Sequence, residues 1–400
     1  MSDQGGLTIS RPLRVPDPVR LARYGRAPEL GPTILFFSGG TGPGPLCREL
    51  IQYTHNSIHL ITPFDSGGSS AVLRRAFAMP AVGDLRNRMM ALADMSVRGN
   101  AEVRRLFSYR LPPEADAREL RQRLEDMVEG DDPLVAAVPD PLRKIIRNHL
   151  GYFLAEMPDH FDLAGASIGN LVLVGGYLNN GRHLDPVVFL FTKLAEVRGV
   201  VRPVVNQDLH LSARLADGRL ILGQHRLTGK NEPPLSSPIV KLGLNQGLDQ
   251  ERPASAAIRP KVARLVATAE LICYPVGSFY SSLLASLLPS GIGEAVAANP
   301  CPKVFVPNTA PDSEALTGGV AQRVAELLGA LGAQEGARRD GGRVLDYVLL
   351  DRQWQGYPGG WDRRSLEDMG LGVIETELVT PDSAPLTDGR LLAEALLSLV

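Results

Sequence analysis

A chain of 400 residues, 44% apolar and 22% charged, has enough apolar surface for one large core or two smaller ones and the composition of an ordinary globular protein. Its formal net charge of −2 gives no electrostatic basis for holding nucleic acid or an acidic membrane. The three cysteines (Cys47, Cys273, Cys301) have no close spacing, so they make no disulfide frame and fit a reducing, cytoplasmic setting. The first 30 residues lack a signal peptide's apolar core, and the most apolar long segment, 271–298, is broken by Pro275, Gly277, Pro289 and Gly291, so no membrane span is expected.

Residues 1–30 are rich in proline, without sustained periodicity, and read as an N-terminal arm; 31–400 read as a single α/β domain. From Thr33 onward strand-like and helical runs alternate, the pattern of a parallel sheet covered on both faces. A strand over 33–38 enters Gly39-Gly40-Thr41-Gly42, and Pro45 at a first helical position starts a helix over 45–53. A strand over 57–62 opens into Asp65-Ser66-Gly67-Gly68-Ser69-Ser70 and a helix over 70–77, followed by Gly83-Asp84-Leu85-Arg86-Asn87. Four helical runs (86–94, 101–109, 115–128, 141–157) with charged outer faces predict a helical insertion over about 86–160 that caps a cleft. The turn from Asp162 to Asn170 opens apolar helix 171–178, and a helix over 185–198 follows. Strands are expected over 201–206 and 209–216, with Asp217-Gly218 as a hairpin turn into 220–223. Residues 231–260, rich in proline and serine, read as a long loop. A helix over 261–269 and a buried strand over 271–274 lead to Pro275-Val276-Gly277-Ser278, a second strand–glycine turn–helix unit. Strands over 303–307 and 344–350 and a helix over 313–331 complete the reading.

The chemistry concentrates in the glycine-bearing turns. Exposed amides at helix N-termini attract anions, and glycine lets an anion approach closely, so turns 39–42, 65–70 and 83–87 suggest one cleft for a phosphate group. Two glycines and three hydroxyls beside one carboxylate is a costly composition for a connector, although an Asx-turn with a serine cap would also use it. Asp65 is therefore a candidate metal ligand or acceptor for a substrate hydroxyl, and hard oxygen donors favour Mg²⁺. Ser66, Gly67, Gly68 and Ser69 join it, with Asp84 and Asn87 from the third turn and Ser167 and Asn170 before the apolar helix. Arg86 and Arg88 bring cations to the same strand ends. His55 and His59 are separated by a turn and share no face; His149, His160, His183, His210 and His225 are scattered and read as structural or exposed. Arg118, Arg121, Arg123, Arg143 and Arg147 alternate with acids and read as a solvated face.

These motifs, taken in order, resemble the 2-phospho-L-lactate transferase and gluconeogenesis-factor (CofD-like) superfamily. The residues that carry the resemblance are 38–42, 65–74, 80–87 and 162–171, then Asp217-Gly218, 277–282 and 303–308, across about 33–330. The resemblance implies a Rossmann-like three-layer α/β/α fold with a mostly parallel sheet, a homodimer, and a nucleoside diphosphate-linked ligand of GDP or UDP type. It implies that Gly39, Gly40, Thr41 and Gly42 lie against a diphosphate. Asp65 would be the catalytic, metal-side carboxylate, and Asn170, Gly277, Ser278 and Tyr280 would line the pocket. Two functions fit: a Mg²⁺-assisted transferase moving a phospholactyl-type group to an acceptor hydroxyl, or a UDP-sugar-binding regulator without turnover. The chain departs from the pattern where Asp65-Ser66 replaces two adjacent aspartates, which halves the local charge for a metal. It departs again at Pro275-Val276-Gly277-Ser278, and neither the insertion nor the tail beyond 335 is explained by the motifs. A redox Rossmann enzyme is disfavoured by the missing Gly-x-Gly-x-x-Gly.

Overall fold

The computed structural model describes residues 12–229, 235–334 and 336–400. Residues 1–11 of the expected arm and 231–234 of the expected long loop lie outside the described residues. Thirteen strands are named here: β1 (Ile34–Ser38), β2 (Ile58–Ile61), β3 (Val200–Pro203), β4 (His210–Leu215), β5 (Leu220–Leu222), β6 (Ile239–Asn245), β7 (Pro253–Ala254), β8 (Leu271–Tyr274), β9 (Lys303–Phe305), β10 (Arg338–Arg339), β11 (Gly342–Arg343), β12 (Tyr347–Asp351) and β13 (Gly372–Thr376). Seven of them form one sheet in the order β13-β12-β9-β8-β1-β2-β3. Every pairing in it is parallel, with Leu35 opposite Ile58 and Ile34 opposite Leu271. β5-β4-β6-β7 make a separate antiparallel sheet, and β10-β11 a short ribbon.

The helices are α1 (Pro18–Arg26), α2 (Gly44–Leu50), α3 (Gly68–Phe77), α4 (Gly83–Leu92), α5 (Asn100–Ser108), α6 (Ala117–Glu129), α7 (Pro133–Ala136), α8 (Leu142–Glu156), α9 (Ile168–Asn179), α10 (Leu184–Leu194), α11 (Pro260–Ala267), α12 (Ala285–Leu287), α13 (Ile292–Ala298), α14 (Val320–Ala330), α15 (Arg363–Asp368) and α16 (Gly389–Leu397). A π-helical turn, Phe279–Leu284, runs directly into α12.

Strand alternation divides the core into layers. Ile34 and Phe36 of β1 pack with Leu46 and Leu50 of α2 and Leu392 and Leu396 of α16. Leu35 and Phe37 point the other way, into a cluster with Val266, Val296 and Leu327 of the covering helices and Leu211 and Leu244 of the small sheet. This is the three-layer Rossmann-like α/β/α arrangement that the alternating pattern predicts.

A third cluster contains Ile61 of β2 and Val201 of β3 together with Met89, Phe107, Leu124, Phe153, Leu173 and Phe191. The helices read as a cap are thus a layer grown out from the sheet edge. α4 begins at Gly83 and lies against β2 and β3, and of residues 93–160 only Arg110 reaches the cleft. Helix α9 is apolar on all sides because it is buried on all sides over residues 168–177. A Cβ on its Gly175 would meet the His149 carbonyl oxygen at 1.8 Å, so α8 can cross there only over glycine.

Several boundaries differ from the sequence reading for physical reasons. The described part of the arm carries α1, capped by Asp17 and tied to the C-terminal helix by Asp17 N–H to Ser398 Oγ (2.8 Å). Within the expected long loop, β6 pairs along the whole of β4; its burial does not alternate and it lies between proline- and serine-rich flanks, so no period-2 signal marks it. Helix α14 begins only at Val320, because the preceding Asp312 and Glu314 are spent on a neighbouring turn.

Candidate functional site

The chain runs from β1 outward to β2 and β3, then returns to place β8 on the other side of β1. Open α/β sheets bind ligands at such a switch point, beyond the carboxyl ends of the strands. The turn after β1 and the turn after β8 flank it. A cleft of about 300 Å³ lies there, lined by Gly40, Thr41, Asp65, Gly67, Gly68, Ser69, Asp84, Asn87, Asn170 and Ser278, all singled out from the sequence. Gly39, Gly42 and Gly277 line an adjoining crevice of about 110 Å³ that shares Thr41, Ser278 and Ser282 with the cleft.

Three helix N-termini meet at this wall: α3 through Gly68 to Ser70, α4 through Gly83 and Asp84, and α9 through Asn170. None has a side-chain N-cap, so first-turn amides carry their partial positive charge toward the cavity. Asp65 Oδ1 accepts from Gly67 N–H at 3.0 Å, so the Asx-turn forms as well. The Asp65 carbonyl is held by Arg74 Nη1 at 2.9 Å.

Asp84 supplies the second carboxylate that the sequence lacks beside Asp65. It packs against the first glycine turn so closely that a Cβ on Gly40 would lie 2.3 Å from Asp84 Oδ1. Among the described residues no group of three His, Cys, Asp or Glu side chains is arranged to hold a metal. Two carboxylates in a phosphate-sized cleft are still a donor set that magnesium accepts, since substrate phosphates and water complete its shell.

Arg86 and Arg110 bring positive charge to the same wall. Burial and then the like charge of Arg110 pull the Arg86 guanidinium down from its ordinary value to about 10, against the opposing pull of Asp84 and Asp65. Two crowded guanidiniums are what an anion relieves. Asn170, 2% exposed, sets its Nδ2 3.5 Å from Ser69 Oγ and has no partner for Oδ1 among the described residues. An unpartnered buried acceptor in a cleft wall suits a ligand N–H or O–H.

Three sequence candidates do not reach the cavity. Ser167 is buried behind Arg86 and accepts its Nη1 hydrogen bond. Ser66 is buried too, with Oγ 2.8 Å from His225 Nδ1, so it positions that ring. Tyr280 is 5% exposed and faces α14, where its hydroxyl meets Glu326 (2.9 Å) and Arg323 (2.8 Å) and burial pushes its pKa up to about 12. His225, read as structural or exposed, instead lines the cleft with Gln224 and Thr228, as do Arg110 and Ser282. Ser282 belongs to the 277–282 motif, but no local motif marks the others, which arrive from the loop after β5 and the α5–α6 connection.

The Gly277 turn lines the crevice, but its amides already have partners within the protein. Gly277 N–H donates to Asn308 Oδ1 (2.9 Å), Phe279 N–H to Asp312 Oδ2 (2.8 Å) and Ser281 N–H to Glu314 Oε2 (2.7 Å). Its amides are therefore committed to the 308–314 loop rather than to an anion. Glu314 is 1% exposed, and burial, then Asp312, raises its carboxyl from 4.5 to about 7. The folded chain holds a proton there that the unfolded chain releases, so stability is expected to fall as pH rises from about 4.5 to about 7. Glu314→Gln should remove that decline, on the order of 3 kcal/mol, from urea midpoints measured across the interval. Equal slopes in both proteins would exclude Glu314 as its source.

The fold and site define an α/β protein with a parallel sheet whose switch-point cleft carries uncapped helix termini, two carboxylates and two arginines. The comparisons specify the family: the chain belongs to the 2-phospho-L-lactate transferase CofD family, whose model matches residues 34–379. The gluconeogenesis factor of Bacillus subtilis is 27% identical over 363 residues, covering 87% of this chain and 92% of the relative. A Nostoc relative provisionally given the same name is 28% identical over 364 residues; the match takes 88% of this chain but spans 64% of the relative's length. The crystal structure of a UPF0052-family protein from Bacillus halodurans has a TM-score of 0.67 at 22% identity, covering 92% of this chain and 99% of that one, and shares the fold. Among the described residues no helix is long and apolar enough to cross a membrane.

Proposed function

We propose that the cleft binds a nucleoside diphosphate-linked small molecule and transfers its phosphate-linked group to an acceptor hydroxyl. The carrying observation is the facing of Asp65 and Asp84 to Arg86, Arg110 and three uncapped helix N-termini within one cavity of about 300 Å³. Arg86, Arg110 and the α3 amides would hold the diphosphate oxygens. Asp65 and Asp84 would hold magnesium, which when bound neutralises phosphate charge. The crevice along Gly39, Gly42 and Gly277 leads toward an apolar slot lined by Phe279, Phe305 and Arg323, a place for the base. His225, fixed by Ser66, would take the acceptor's proton as its oxygen attacks phosphorus. The anhydride P–O bond then breaks, nucleoside monophosphate leaves, and catalysis rests on positioning and electrostatics.

The family description supports the transferase reading. The curated relatives are named gluconeogenesis factors, and a second reading, a UDP-sugar-binding regulator without turnover, is compatible with that name. Incubation with GDP- and UDP-linked donors, Mg²⁺ and candidate acceptors separates them. Mg²⁺-dependent release of nucleoside monophosphate is expected for the transferase; tight binding with no monophosphate after long incubation would establish the regulator.

A further inference from the structure

A fully buried guanidinium lies directly behind the first glycine turn. Arg88, on α4 and 0% exposed, donates to the Gly39 carbonyl oxygen (2.8 Å), Ser38 Oγ (3.2 Å) and Cys47 Sγ (2.5 Å). Its Nε has no partner, and no carboxylate pairs with it among the described residues. Of the titratable groups around it, Cys47 and His59 are held toward their neutral forms, and the Asp84 carboxylate, one turn earlier on α4, packs against the same glycine turn. Burial raises the Cys47 thiol despite the pull of Arg88, and burial and then Arg88 push His59 well below its ordinary value. His59 is itself fully buried, with Nε2 3.0 Å from Ser57 Oγ, so it offers no compensating charge. A buried guanidinium without an anion is costly, and a fold keeps one where something else supplies the negative charge. Ser38 and Gly39, the two cleft-side groups it grips, form the wall of the crevice beside Thr41.

We propose that Arg88 sets the selectivity of this site for polyanions, as a positioning residue acting through Ser38 and Gly39. It fixes the glycine turn by its forked contacts and adds a desolvated positive charge behind it, so each ligand phosphate gains affinity that an uncharged ligand does not. A rim arginine would be screened by water and salt; one sealed in the core is not. The proposal rests on the nucleoside diphosphate reading and adds the residue that grades ligands by phosphate number.

The experiment is calorimetry of guanosine, GMP and GDP, and of uridine, UMP and UDP, against wild type, Arg88→Met and Arg88→Lys at one salt concentration. In wild type affinity should climb with each phosphate. In Arg88→Met the gain from nucleoside to diphosphate should shrink about tenfold or more with nucleoside affinity unchanged, and Arg88→Lys should keep most of the gain. A merely structural role would weaken all ligands alike. An undiminished gain in Arg88→Met overturns the proposal and leaves the nucleoside diphosphate reading standing. A wild type that gains nothing from phosphate overturns both. Should Arg88→Met fail to fold, Arg88→Gln, which keeps a donor for the Gly39 carbonyl, is judged by the same criterion.

Discussion

Asp84→Asn is expected to lower Mg²⁺-dependent turnover by about 10²-fold or more, and Asp65→Asn by a similar factor. Both carboxylates border the same cleft, and Asp84 lies against the Gly40 backbone where the diphosphate is proposed to sit. An amide keeps the shape but removes the charge that a cation needs. Its loss also leaves Arg86 and Arg110 less compensated, so nucleotide binding without metal should hold or tighten while the metal requirement disappears. Steady-state rates and nucleotide affinity, each measured with and without Mg²⁺, check both halves. Unchanged kinetics in either variant would remove that carboxylate from the site.

Arg74→Met is expected to cost about 3–5 kcal/mol of stability, seen as a shift of the urea midpoint. Arg74 is 4% exposed, and its guanidinium joins three parts of the chain. It pairs with Asp208 at 2.6 Å and donates to the carbonyls of Phe64 (3.3 Å), Asp65 (2.9 Å), Met79 (3.2 Å) and Leu209 (2.7 Å). Methionine fills similar volume but leaves those carbonyls without donors and Asp208 without its partner. Because Asp65 is one of the groups held, the folded fraction should also bind nucleotide more weakly. A loss under 1 kcal/mol would show that the network contributes little.

The alternation of strands and helices, the parallel sheet and the glycine turns were legible because they depend on local composition and short periodicities. Asp65, Gly67, Gly68, Ser69 and Asn170 were legible for the same reason: each sits where a strand ends or a helix begins. Arg110 and His225 were not, because long-range folding alone carries the α5–α6 connection and the loop after β5 to the cleft. Tyr280 was misplaced for a simpler reason. Ser278 and Ser282, four residues apart, share the helical face toward the cleft, which turns Tyr280 toward α14. Strand β6 was lost because its stability comes from pairing with β4 rather than from its own flanks. The commitment of the Gly277 turn's amides to Asn308, Asp312 and Glu314 was not legible, because those partners lie about thirty residues further along the chain.

One diphosphate is expected to occupy the cleft at the switch point of the sheet. A crystal structure of the protein soaked with GDP or UDP and Mg²⁺ tests it most directly. The expected result is a diphosphate between Gly40-Thr41 and the N-terminus of α3, contacting Arg86, with a cation between it and Asp65 and Asp84. A nucleotide bound elsewhere, or an empty cleft at saturating nucleotide, would contradict it.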